Sequence, residues 1–132
     1  VSKSLPFHPH AGTVLVADFR GFVAPELTKK RPVIVISPRL PFRSGLATIV
    51  PISTTAPLKD VPYVHRLSRN YSPWGEPSQA TWAKCDLVMN VGFARLSAFK
   101  VDRRKYITPR LTPEDLAGVR EAVLHGLGWI GH

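Results

Sequence analysis

Proline constrains this chain more than any other residue. Thirteen prolines stand among 132 residues, about twice the ~5% usual in proteins. A residue with a fixed φ and no N–H breaks helices and is confined in sheets to strand starts, edges and bulges. Prolines at such short intervals suit short strands joined by tight loops. The apolar runs between them fit that reading: "GTVLVADF" (12–19), "PVIVIS" (32–37), "LATIVPIS" (46–53), "YVHRL" (63–67) and "ATWAKCDLVM" (80–89) read as strands, with a further short one near 105–108. This spacing predicts a small antiparallel sheet or barrel. One helix is well signalled. Thr112 is its N-cap, Pro113 its first residue, and Asp115 stands in the place of a capping-box acid, with Leu111 and Leu116 at the staple positions. Leu116, Val119, Val123 and Leu127 form one apolar face, and Gly126 and Gly128 can end it.

The length suits one core, read here as an N-terminal arm over 1–11, a single domain over 12–128 and a tail over 129–132. No run approaches 18 apolar residues, so no membrane span is expected. The first ten residues lack the apolar centre of a signal peptide and an initiator Met. The single Cys85 excludes an internal disulfide and a multi-cysteine zinc site, and it points to a reduced, cytoplasmic setting. No metal or cofactor is expected, since His8-Pro9-His10 has no third ligand nearby. The charge is +9, with a pI near 10.3. Residues 1–110 hold 17 of the 18 Lys/Arg and 6 of the 9 Asp/Glu, a net of +11, while residues 111–132 net −2. A basic body attracts polyanions, nucleic acid first.

Three constellations can carry chemistry. Lys29, Lys30 and Arg31 crowd the mouth of the apolar run Val33 to Ile36. Pro32 biases Arg31 toward an extended backbone, and a guanidinium held there suits a phosphate or carboxylate; a structural salt bridge to Glu26 is the other reading. "PISTT" (51–55) ends a strand in hydroxyls, of which Ser53 and Thr54 can bond a substrate oxygen or simply shape a turn. In "TWAKCDL" (81–87), alternation puts Trp82, Lys84 and Asp86 on one face and Ala83, Cys85 and Leu87 on the other. Lys84 and Asp86 can share proton work or form a local ion pair, and Trp82 can stack a base. His65, on a strand, is a further candidate base.

In this order the pieces resemble the PemK/MazF family of toxin endoribonucleases. The matching features are Gly12 with the strand to Phe19, Glu26 five residues before Arg31-Pro32, Ser37-Pro38, Pro51-Ile52-Ser53-Thr54, Lys84-Cys85-Asp86 and the C-terminal helix. The resemblance implies a mainly β fold, a small SH3-like antiparallel barrel with a C-terminal α-helix, usually as a homodimer. It implies metal-independent, sequence-selective cleavage of single-stranded RNA and neutralisation by a cognate acidic antitoxin. Arg31 and Ser53 then take the catalytic places, Ser53 standing where Thr is usual. Lys84 and Asp86 take those of an Arg and an Asp that act on the substrate, with Asp86 as a third catalytic candidate. Lys29, Lys30 and Arg39 would follow flanking phosphates, with Thr54, Trp82 and Lys84 as further RNA contacts. Pro25 replaces a His that some members carry before the Glu. The segment 90–110 is longer and more basic than usual, either an added RNA contact or an exposed hairpin. Two alternatives remain: a gyrase-poisoning toxin of the same fold, suggested by the ending "GWIGH", and a nonenzymatic RNA-binding module.

Overall fold

The computed structural model describes Leu5, residues 8–23 and residues 29–130. The chain is mainly β with a C-terminal helix, and among the described residues every strand pair is antiparallel. Strands β1 (Val14–Asp18), β2 (Lys30–Val35) and β3 (Leu46–Ser53) form the centre. β4 (Val64–Arg66) and β5 (Trp82–Lys84) extend it on one side. β6 (Met89–Gly92) pairs with the first half of β3, and β7 (Leu96–Ser97) with β1. β8 (Phe99–Asp102) and β9 (Lys105–Ile107) make a separate hairpin. Helix α1 runs over Pro113–Gly126.

Alternation sorts the central strands into two apolar faces. Val14, Val16, Ile34, Val50 and Ile52 point one way and pack with Ala83, Cys85, Phe99 and, from α1, Val119 and Ala122. Leu15, Ala17, Val33, Val35 and Ile49 point the other way and are covered by Phe19, Val91 and Leu96, with Leu5 packed against them. A sheet buried on both faces explains why these strands read as unbroken apolar runs.

The helix start has the expected cap: Thr112 Oγ1 accepts from the Asp115 N–H at 3.2 Å. The Asp115 carboxylate does more than a capping-box acid. It accepts from Ser68 N–H and O–H, from the Tyr71 hydroxyl at 2.6 Å, and lies 3.1 Å from His65 Nε2. Thr112 N–H donates to that same Tyr71 oxygen, so the box closes through a tyrosine. Burial pushes the Asp115 carboxyl up in pKa, but the bonds from Ser68, Tyr71 and His65 outweigh it and hold it at about 2. Gly118 leaves room for the His65 ring where any Cβ would collide with it.

Two strand expectations need correction. The run 80–89 is not one strand: it pairs only over Trp82–Lys84, turns, and pairs again from Met89. Leu87 N–H closes the turn on the Lys84 carbonyl, and Cys85 N–H goes to the Tyr63 carbonyl. Asp86 therefore stands in the turn after β5. Pro32 is the third residue of β2, opposite Val16, and not its first. The 90–110 segment supplies β6, a short 3-10 turn, β7 and an exposed basic hairpin.

Candidate active site

The β2–β3 ladder ends at Val33↔Pro51. Pro32 and Pro51 both lack an N–H, so neither can donate to carry it further. Beyond that rung β2 presents Arg31 and β3 presents Ser53, on the face turned away from α1. Here a cleft of about 680 Å³ opens, its walls including Pro57, Leu58, Val61 and Leu87. Arg31, Ser53, Lys84 and Asp86 line it together with Lys59 and Tyr63. Among the described residues, three cations thus face one carboxylate, a balance that favours an anion.

Arg31 is half-buried, and its Nε is buried with no hydrogen-bond partner among the described residues. Arg31 itself lines the cleft, where a guanidinium suits a phosphate or carboxylate. Ser53 Oγ accepts the Thr55 N–H at 3.0 Å. That turn bond fixes the oxygen and leaves the hydroxyl proton to donate into the cleft. Lys84 is half-buried at the end of β5, and Asp86 is exposed in the turn beyond it.

Other expected site residues lie outside this lining. Trp82 is the cross-strand partner of Ser53, beside the cleft. Thr54 is exposed beyond the end of β3. Lys29 and Lys30 are exposed at the start of β2, where Lys30 pairs with Asp18, whereas Arg39 follows the opposite end of that strand. Glu26 and Pro25 lie outside the described residues. His65 does not face the cleft; it pairs with Ala83 on the helix side and meets Asp115, so it braces α1 and is no candidate base. Cys85 is fully buried, and desolvation, with a smaller push from Asp86, raises its thiol to about 12, which removes it as a nucleophile. Lys59 comes from the connection between β3 and β4, for which the sequence suggested no site residue, and Tyr63, read as the first residue of a strand, stands just before β4. The one available signal was a lysine among prolines.

A family model described as "PemK-like, MazF-like toxin of type II toxin-antitoxin system" matches residues 10–127. The chain belongs to that toxin family. Solved structures agree on the fold. A mycobacterial endoribonuclease in complex with its cognate antitoxin is 17% identical, with a TM-score of 0.65, over 95% of this chain and 100% of that one. A mycobacterial endoribonuclease is 15% identical, with a TM-score of 0.64, over 97% and 100%. MazF from Deinococcus radiodurans is 21% identical, with a TM-score of 0.64, over 91% and 96%. No curated protein matches. Among the described residues, no helix is long and apolar enough to cross a membrane.

Proposed function

We propose that this toxin is a metal-independent endoribonuclease, with its toxin domain over 12–128, that cuts single-stranded RNA by attack of the substrate's own 2′-hydroxyl. The observation that carries this reading is the meeting of Arg31, Ser53, Lys84 and Asp86 in one basic cleft of a toxin-family chain. No side chain there is an activated covalent nucleophile, so the nucleophile with the shortest path is the 2′-oxygen beside the phosphate. Asp86 takes the 2′ proton, the O2′–P bond forms and the P–O5′ bond breaks. The departing 5′-oxygen takes a proton from the Lys84 ammonium or from water. Negative charge gathers on the phosphoryl oxygens, where the Arg31 guanidinium and the Ser53 hydroxyl donate. The products are a 2′,3′-cyclic phosphate and a 5′-hydroxyl.

Related folds bound to a cognate antitoxin support a similar partner for this chain. The net +11 of residues 1–110 favours an acidic one. Lys29, Lys30 and Arg39 are its proposed contacts, the working unit is a homodimer, and the setting is the cytoplasm. The deciding experiment incubates the protein with a long RNA and, separately, with gyrase and plasmid, and examines the RNA ends by mass spectrometry. Cyclic-phosphate ends are expected. Intact RNA with trapped gyrase cleavage would establish the poison instead, and binding without cleavage a nonenzymatic module.

A further inference from the structure

The strand registers line up four side chains from four neighbouring strands. Ser53 on β3 pairs with Trp82 on β5, and Trp82 pairs with Arg66 on β4. Arg31 lies two residues past Val33↔Pro51 on β2, the next strand in the sheet, and lines the same cleft as Ser53. Arg31, Ser53, Trp82 and Arg66 therefore form one row across the sheet, on the face away from α1. Lys84 and Val64, two residues along from Trp82 and Arg66, pair with each other and line the cleft, so the row is the cleft's border. At a strand spacing of ~4.8 Å the row is roughly 15 Å long. That exceeds what one phosphate needs and suits a strand of several nucleotides.

Chemistry along the row alternates in the way a single strand requires. Trp82 is half-buried, which fixes its ring, and Ala83 beside it is in the core. The Arg66 guanidinium stands 5.9 Å from the indole centroid. Arg66 is exposed and makes no ion pair among the described residues. At that distance it covers the ring loosely and can yield the face to a base. Arg66 also lines a groove of about 420 Å³ together with Arg69, Ser78 and Gln79. A cation, a hydroxyl, an aromatic ring and a second cation in line match phosphate, ribose, base and the next phosphate.

We infer that RNA crosses the strands along this row, with a base stacked on Trp82 and Arg66 holding the adjoining phosphate. This rests on the reading of the chain as an RNA-cutting enzyme and adds to it a subsite and a direction. The competing account is that Trp82 and Arg66 are an ordinary cross-strand packing pair, which would affect stability and nothing else.

The probe is a mixed-sequence, fully 2′-O-methylated RNA, which binds without being cut. Binding is followed by intrinsic fluorescence over a series of salt concentrations. Wild-type protein should show a quench that is absent in Trp82→Phe. Trp82→Leu should weaken binding by roughly 5- to 150-fold, the range for losing one base stack. Arg66→Gln should reduce the slope of log affinity against log salt by about 0.7, the share of one single-strand phosphate contact, and Arg66→Lys should restore it. A packing role would not move that slope. If Trp82→Leu melts early, the Phe and Arg66 variants still decide. An unchanged slope in Arg66→Gln with a quench that persists in Trp82→Phe would overturn the row, even if the wild type cuts RNA. Binding with these signatures by a protein that cuts no RNA would keep the row and overturn the activity.

Discussion

Arg31 on β2 and Ser53 on β3 line one cleft, each two residues beyond the last rung of the ladder that joins those strands. The strands are held in register up to Val33↔Pro51 and are free of ladder bonds beyond it. A rigid core thus ends where a ligand can enter between two polar side chains, an arrangement suited to preorganised binding of a phosphate.

Arg31→Ala is expected to abolish RNA cleavage with little change in melting temperature, because Arg31 lines the cleft and belongs to neither apolar core cluster. Losing one preorganised charge-stabilising donor costs ~3–4 kcal/mol, roughly several hundred-fold in rate. Ser53→Thr should stay active and Ser53→Ala should not, since Thr keeps both the acceptor for Thr55 N–H and a proton to donate. Full activity in Ser53→Ala would transfer the role to Thr54. The check is single-turnover cleavage beside a thermal melt.

A substrate with one 2′-deoxy nucleotide immediately 5′ of the cut should resist cleavage and still bind. Every other contact in the proposed step remains, but the nucleophile is gone. Efficient cutting of that strand, or 5′-phosphate ends on the products, would refute attack by the 2′-oxygen whatever the family.

Cleavage should survive EDTA. Arg31, Lys59 and Lys84 line the cleft, and among the described residues Asp86 is the one carboxylate in its lining, too few acids for a two-metal site. A strict Mg²⁺ requirement would contradict this.

Asp115 should contribute to acid stability. Its folded pKa, about 2, lies below its ordinary 3.8. The ionised form is therefore favoured in the folded chain, and its contribution is complete above ~4. That contribution falls as pH drops toward 2. Asp115→Ala should remove this pH dependence and cost about 2–4 kcal/mol, because Ser68 N–H, the Tyr71 hydroxyl and His65 all lose their acceptor. Urea titrations of both proteins at pH 7 and pH 3 test it; an equal loss of stability on acidification in the two would rule the assignment out.

The readability of the sequence followed how local each cause is. β1 and β3 announced themselves because both their faces are buried, and α1 because its cap lies within four residues. The break after Lys84 was hidden, since an apolar run gives no sign that Cys85 N–H will leave the strand for Tyr63. Asp115 read as a capping acid because its true partners, Ser68, Tyr71 and His65, are more than forty positions away in the chain. In the site, Arg31, Ser53, Lys84 and Asp86 were visible through ordered family spacing. Lys59 and Arg66 were not. Their place depends on how one loop folds back and on which strands become neighbours, and neither is written in local periodicity.

Cys85 lies beneath α1, and Gly126 packs so near that a Cβ there would stand 2.8 Å from the Cys85 carbonyl oxygen. The chain therefore carries its own stopwatch. Its only thiol stays silent toward alkylating agents and oxidants while the helix is docked, and it begins to react when the helix lifts. The speed at which a bulky maleimide labels this protein then reports how often the core beneath the last element of the fold opens.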